Sequence, residues 1–280
     1  KPAAAAVRAG PPGALVGGFT DRHLVLVALA LSGASSMIYQ VVWNRALAMV
    51  LGSSIYSFTI ILLAFLVGLA LGSAIISALM KQITNPMLAF GIVQLLIGVS
   101  AAGNYVYQDD LPILFAKAVT QIEHFENHVG MVQFMGFLIA GLAILPATLG
   151  MGATFPLAVR IWSAGGPGGG ADAGKPVGAD VGVVYSINTV GAIVGSFLAG
   201  FVLMPFLQMQ HSFFIAVGAN LVLAMVCILA APGDDPLKYI VTPAIPIAAT
   251  IAFLFTPRWD LTRMTLGVFR VSLAEDIAQN

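Results

Sequence analysis

Long stretches of this sequence lack any Lys, Arg, Asp or Glu. They cover residues 46–80, 82–108, 127–159, 181–233 and 239–257. A soluble helix needs polar groups on its wet face, whereas a helix that crosses a bilayer needs ~20 mostly apolar residues. The charge-free stretches therefore exclude a soluble globular fold. They predict an all-α integral membrane protein, a polytopic helical bundle.

Charge and cysteine are scarce in the whole chain. Charged residues make up 9% of the sequence and the formal net charge is zero, which leaves no basic surface for nucleic acid. The single cysteine, Cys227, excludes an internal disulfide and gives no information on the redox compartment. No Asp or Glu falls inside a predicted span, which argues against a pump with an internal carboxylate relay.

About seven transmembrane helices account for the apolar stretches. The stretch 181–233 is too long for one crossing, so we expect two helices with a turn at Pro205–His211. The fourth span is expected to continue past Pro146 toward Trp162. The predicted spans are Leu24–Asn44, Ser57–Met80, Met87–Tyr107, Val129–Leu149, Val181–Met204, Ser212–Ala231 and Tyr239–Phe255.

Composition also divides the chain into segments. A four-helix part at 23–164 contains an amphipathic helix at 109–126, whose apolar residues recur at helical spacing and predict a position in the membrane interface. A three-helix part follows at 181–257. The remaining segments are a flexible tail at 1–22, a Gly-rich linker at 165–180 and a tail or junction to a further domain at 258–280. The chain begins at Lys1, so we expect a piece of a longer or processed product.

The distribution of Lys and Arg predicts a cytoplasmic N-terminus, because cytoplasmic loops are enriched in both residues. With that orientation, the cytoplasmic side receives Arg22, Lys81, Arg160 and Lys238, and the other side receives Arg45 and Lys117. The basic residues of 258–280 do not fit this orientation, because seven spans place them on the outer side of the membrane.

Glycines four residues apart occur in the second and fifth spans. Such spacing forms a groove that lets a neighbouring helix backbone approach closely. We interpret these glycines as helix-packing positions, with a dimer interface or a moving gate as alternatives. They are Gly68, Gly72, Gly191, Gly195 and Gly200.

Polar side chains near the end of the first span form a candidate ligand site. They are Tyr39, Gln40, Asn44 and Arg45, and Asn188 and Thr189 of the fifth span are added to them. An arginine inside a membrane is a functional candidate, and here it would bind an anion or a partner carbonyl. The alternative is an interfacial role, since Tyr and Trp favour the headgroup region and Arg snorkels to it.

Metal and catalytic motifs are weak. His124 and His128 lie four residues apart, a spacing that places two ligands on one helix face, but a third ligand is not evident. No Ser/His/Asp or Cys/His set is identifiable, so we expect neither a cofactor nor enzymatic activity in this chain.

Five sequence motifs, taken in combination, resemble those of one known protein family. They are Ser32-Gly33 with Tyr39 to Arg45, Phe65 to Ser73, Leu145 to Leu157, Val184 to Gly195 and Ala199 to Phe201. The set resembles the membrane portion of bacterial spermidine synthase-like proteins fused to a major-facilitator-like transporter, over about Leu24 to Arg270.

The resemblance implies that a soluble aminopropyltransferase-type domain follows the helices, with Trp259-Asp260 and Gly267 to Arg270 near the junction. Two positions depart from the family: Gln40 stands where Glu is frequent, and Met80-Lys81-Gln82 replaces the Asp-Arg turn of facilitator transporters. No catalytic residue of the family can be carried over to this chain.

The first hypothesis is therefore a non-catalytic, transporter-like membrane domain that anchors or serves a partner domain. The alternative is an accessory structural subunit of a respiratory or photosynthetic inner-membrane complex, packed against partner helices, lipid, quinone or pigment. Both place the chain in the bacterial inner membrane as a multi-pass protein. Its expected partners are the lipid bilayer and either other membrane subunits or a soluble synthase-like domain.

Overall fold

The computed structural model describes residues 21–52, 54–108, 110–120, 129–164, 177–233, 236, 238–240, 242–245, 247 and 259. All regular elements in these residues are helices, which confirms the all-α class. They are α1 (Asp21–Leu51), α2 (Ile55–Leu79), α3 (Pro86–Val106), α4 (Leu111–Thr120), α5 (Val129–Ala164), α6 (Val177–Phe197), a π-helical segment (Leu198–Leu203) and α7 (Met204–Ala230).

Five helical runs in the described residues are long and apolar enough to cross a bilayer, as expected of a membrane protein. The last of them, Gly178–Ala230, is 53 residues long and contains a break at Gln208, where φ is 64°. The break lies inside the expected Pro205–His211 turn, which confirms that the apolar stretch forms two helices. Most of the seventh predicted span, Tyr239–Phe255, lies outside the described residues.

The helix ends follow from local capping. The Oγ of Ser54 accepts a hydrogen bond from the Ser57 amide at 3.2 Å at the start of α2. Asn85 caps α3 in the same way, and Pro86 occupies the first turn, where a missing N–H costs nothing. The α1 helix continues beyond Asn44, the predicted end of the first span, to Leu51. The α5 helix continues through Pro146, as expected.

Helices from the two halves of the chain pack in pairs. The α1 and α6 helices run in parallel, since Gly191 lies against Ala30 and Gly195 against Ala34. The α2 and α5 helices are also parallel, because Gly68 contacts Thr148 and the Arg160 guanidinium donates to the Met80 carbonyl.

The third pair, α3 and α7, is antiparallel. Asn85 at the start of α3 donates to the Pro232 carbonyl at 2.9 Å, just beyond the end of α7. Gly91 and Gly98 of α3 lie against Ile228 and Leu221 of α7.

These directions make the two halves an inverted repeat. The unit α1–α2–α3 crosses the bundle in the opposite sense to α5–α6–α7, so α1 corresponds to α5, α2 to α6 and α3 to α7. The packing pairs obey the same relation: exchanging the halves converts α1–α6 into α5–α2 and leaves α3–α7 unchanged. The repeat leaves a trace in the sequence, where Val67 to Ser73 and Val190 to Ser196 share the pattern V-G-x-x-x-G-S.

A small polar cluster joins three helices at one end of the bundle, which we call the Arg22 end. The Arg22 guanidinium lies 3.5 Å from the centre of the Trp162 ring and 3.8 Å from an Asp180 carboxylate oxygen. The Trp162 Nε1 donates to the same carboxylate at 3.0 Å. The cluster therefore ties the start of α1 to the end of α5 and the start of α6.

Candidate functional site: a cavity between the two halves

A cavity of about 300 Å³ lies where α1, α2, α5 and α6 meet. Its walls come from the middle of α1, α2 and α6, at Gly33, Leu69 and Asn188, and from Gly152 and Phe155 of α5. A volume of this order matches the lower range of small-molecule sites. We call it the axis cavity, because corresponding helices of the two halves surround it.

The repeat relates individual positions of the axis cavity. Aligning the shared V-G-x-x-x-G-S pattern pairs Leu69 with Ala192, and both line the cavity. A Cβ at Gly152 would lie 2.1 Å from the Leu69 carbonyl oxygen, and one at Gly33 would lie 2.8 Å from the Asn188 carbonyl oxygen and 3.5 Å from the Ala192 nitrogen. Gly33 of α1 and Gly152 of α5 thus each lie against the backbone of the paired helix.

The walls of the axis cavity are uncharged. Ser36, Ser73, Thr154, Tyr185 and Asn188 supply hydroxyl and amide groups, and no Lys, Arg, Asp or Glu is among the described residues that line it. The Ser36 hydroxyl donates to the Ser32 carbonyl at 2.8 Å and the Thr154 hydroxyl to the Met151 carbonyl at 2.7 Å. Their oxygens keep acceptor capacity for a ligand, since a hydroxyl that donates one bond still accepts others.

Four of the five glycines chosen from the sequence lie in tight helix crossings. A Cβ at Gly68 or Gly72 would stand 1.9 Å from an atom of α5, and one at Gly191 or Gly195 would stand 2.0 or 2.3 Å from a carbonyl oxygen of α1. Gly200 differs, because a Cβ there would meet no atom of the described residues within 4 Å. It lines a second cavity, and its expected packing role stays a prediction.

The candidate polar set of the first span does not converge on one site. Tyr39 is fully buried and its ring stacks on Trp43 with a centroid distance of 5.2 Å, while Phe213 of α7 packs edge-on against it at 5.3 Å. Gln40 and Asn44 are half-buried, and Arg45 is exposed and lines the second cavity. The six residues therefore separate into different environments.

The two α6 members of that set also differ from each other. Asn188 lines the axis cavity, whereas the Thr189 hydroxyl donates to the Tyr185 carbonyl of its own helix at 2.8 Å. Of the six polar residues predicted from the sequence, only Asn188 therefore lines the axis cavity.

Buried amides connect helices elsewhere in the bundle. Asn104 of α3 accepts a hydrogen bond from Trp43 Nε1 at 2.9 Å and donates to the Ala143 carbonyl at 3.1 Å. Asn220 donates to Gln94 at 2.6 Å, and both side chains are buried. The Gln94 and Asn220 amides therefore bond to each other and join α3 to α7.

His124 and His128, the weak metal candidates, lie outside the described residues. Within the part of the chain that the structure describes, no group of three His, Cys, Asp or Glu side chains is placed to hold a metal ion.

Sequence reasoning missed most of the axis cavity, including Gly33, Ser36, Ser73, Gly152 and Thr154. The available signal was the repeated V-G-x-x-x-G-S pattern, because an internal repeat of opposite orientation predicts a shared axis.

No protein-family model matches the chain, and no curated protein and no solved structure matches it either. The similarity to spermidine synthase-like fusion proteins therefore stays a prediction, and the geometry of the two halves carries the functional argument.

Proposed function

We propose that this chain is a non-catalytic, transporter-like membrane domain that binds a small solute in the axis cavity and serves or anchors a partner domain. The observation that carries the proposal is the inverted repeat with a cavity on its axis. Secondary transporters are frequently built from inverted repeats, with the substrate site near the bilayer midplane where the repeats meet. Three-plus-three inverted repeats also build each half of major-facilitator transporters, which agrees with the resemblance.

The chemistry of the walls favours an uncharged solute with polar and apolar faces. A polyamine carries several positive charges and needs carboxylates or stacked aromatic rings to replace its water. The axis cavity offers hydroxyl and amide groups, two methionines and the aromatic rings of Phe65, Phe155 and Tyr185. The described residues around it contribute no carboxylate, so no negative charge there balances the several positive charges of a polyamine. The family resemblance suggests polyamine chemistry, and the walls of this cavity argue for a neutral ligand.

The proposed setting is the bacterial inner membrane, with seven spans and a cytoplasmic N-terminus. Arg22, Lys81, Arg160 and Lys238 lie at the Arg22 end of the bundle, while Arg45 and Lys117 lie toward the opposite end, a bias that favours the Arg22 end as cytoplasmic.

The short helix α4 is proposed to lie in the membrane interface. Its Leu111, Phe115 and Val119 side chains are buried and Lys117 is exposed, which is the pattern of an interfacial helix.

The test is solute uptake by vesicles that contain the purified chain. Ser73→Phe fills the axis cavity, and Ser77→Phe, one turn later on the exposed face of α2, is the matched control. A panel of radiolabelled solutes should include spermidine, amino acids, sugars and uncharged alcohols. We expect saturable uptake of a neutral solute, loss of at least ~10-fold in Ser73→Phe, equivalent to about 1.4 kcal/mol, and no change in Ser77→Phe.

Two outcomes would overturn the proposal. Absence of saturable uptake for every solute, combined with stable co-purification with unrelated membrane subunits, would favour the structural-subunit alternative. Equal uptake by the Ser73→Phe and wild-type chains would show that the axis cavity does not hold the solute.

A further inference from the structure

A second cavity, of about 480 Å³, lies between α1 and the junction of the π-helical segment with α7. We call it the Arg45 cavity. Its lining includes Arg45 and Met49 of α1, together with Gly200, Met204, Gln208 and Met209 from the other side. It shares no lining residue with the axis cavity, so a ligand there does not depend on the proposed transport.

The backbone beside the Arg45 cavity departs from regular helix at two points. Residues Leu198–Leu203 form a π-helical turn, an element that recurs at functional sites. Gln208 then adopts φ 64° and ψ 172°, a region that non-glycine residues rarely enter and that costs on the order of 1–3 kcal/mol. Gly200 of the π-helical segment and Gln208 both line the cavity.

Arg45 brings an uncompensated positive charge to this cavity. Within the described part of the chain, no carboxylate forms an ion pair with its guanidinium. Because α1 continues to Leu51, Arg45 lies about 9 Å before the helix end at a rise of about 1.5 Å per residue. An exposed guanidinium without a carboxylate partner attracts an anion, preferably one that accepts two parallel hydrogen bonds.

The rest of the lining is apolar and adaptable. Met49, Met204 and Met209 supply three thioether side chains, which rearrange easily around an irregular apolar ligand. Gly200 leaves open space, since a Cβ there would meet no described atom within 4 Å. A single cation beside flexible apolar walls matches a molecule with one anionic head and an acyl chain.

We propose that the Arg45 cavity binds an anionic phospholipid from the leaflet opposite the Arg22 end. The lipid phosphate lies against the Arg45 guanidinium, and an acyl chain lies along the three methionines and the open face at Gly200. The cavity is a specific lipid-binding site in the wall of the bundle, distinct from the annular lipids that surround the helices.

Native mass spectrometry tests this proposal. The purified chain is titrated in mild detergent with dioleoyl phosphatidylglycerol, with dioleoyl phosphatidylcholine of the same chain length, and with inorganic phosphate alone. We expect one phosphatidylglycerol to be retained at least ~10-fold more tightly than phosphatidylcholine, a ratio equivalent to about 1.4 kcal/mol. Inorganic phosphate alone should not be retained, because it lacks the acyl chain.

Three variants separate charge from volume. Arg45→Gln should abolish the preference for phosphatidylglycerol, and Gly200→Phe should lower the retention of both lipids by filling the cavity. Lys117→Gln removes a cation of α4 that does not line the cavity, and it should bind like the wild-type chain. Thermal unfolding before lipid addition identifies any variant that is misfolded, and Gly200→Phe then tests the site without changing its charge.

Unchanged lipid preference in Arg45→Gln would overturn the proposal. An equal loss in Lys117→Gln would also overturn it, since the preference would then reflect general surface charge. Retention of inorganic phosphate with the same dependence on Arg45 would replace the lipid with a free anion.

Discussion

Gly191 of α6 lies directly on the backbone of α1 at Ala30, where a Cβ would come within 2.0 Å of the carbonyl oxygen. That distance is far below van der Waals contact, and the obstacle is backbone, which cannot turn away as a side chain can. The parallel contact between α1 and α6 thus depends on the missing side chain.

The first prediction tests this contact. Gly191→Ala should destabilise the bundle by about 1–3 kcal/mol, since extra volume in a packed interface forces the backbone to shift. The control is Gly182→Ala on the same helix, where a Cβ meets no described atom within 4 Å. It should be neutral or stabilising by about 0.5–1 kcal/mol, because alanine favours helix. Thermal unfolding in detergent measures both, and equal Tm values would contradict the observed crossing.

The second prediction concerns the Gln94–Asn220 hydrogen bond. Either single substitution to Leu leaves a buried amide without its partner, at a cost of about 1–3 kcal/mol. The double substitution removes both polar groups, so it should cost less than the sum of the single substitutions. Titration with a denaturing detergent gives the three free energies of unfolding, and additive values would show that the two amides do not interact.

The third prediction concerns Trp43, Asn104 and Ala143. Trp43→Phe removes the indole donor and keeps an aromatic ring against Tyr39 and Phe213, while Asn104→Leu removes the acceptor and also the donor to Ala143. Hydrogen bonds between membrane helices average about 0.6 kcal/mol, with a maximum near 1.7 kcal/mol. The double-mutant cycle should give a coupling energy in that range, and Asn104→Leu should be the more damaging single change. A coupling energy of zero would contradict the bond.

The fourth prediction concerns the two ends of the bundle. Cys227 is fully buried, so the native thiol should not react with a membrane-impermeant maleimide. In intact cells, Tyr107→Cys should be labelled and Gln82→Cys should be labelled only after lysis, because these exposed residues lie just beyond opposite ends of α3. The reverse pattern would overturn the proposed orientation, and identical labelling of both would contradict their placement on opposite sides.

The sequence predicts the helices well because lipid imposes a strong rule on composition. Apolar runs without charge define where α2 and α3 lie to within a few residues, and the Asn85–Pro86 pair marks the boundary between them through local capping. The break near Gln208 follows from length alone, since one bilayer cannot accommodate the whole of residues 181–233.

The sites are harder to predict, because they depend on which helices meet. Ser36, Ser73 and Thr154 look like ordinary weakly polar residues within apolar helices, and only the pairing of α1 with α6 and α2 with α5 brings them together. The end of the apolar run predicts that Arg45 lies at the end of its span, whereas α1 continues beyond it to Leu51. Helix pairing and helix length both depend on distant packing, which local periodicity does not encode.

The most extensive packing of α1, α2 and α3 is with α6, α5 and α7, all of which are synthesised later. During translation, the first three helices therefore enter the bilayer with their glycine grooves facing lipid and with Gln94 lacking its partner Asn220. Assembly should remain reversible until the second half has been inserted, so these early helices are expected to need an insertase or chaperone to hold them. The same dependence means that separately expressed fragments, divided near residues 121–128, should reassociate in the membrane into a stable bundle.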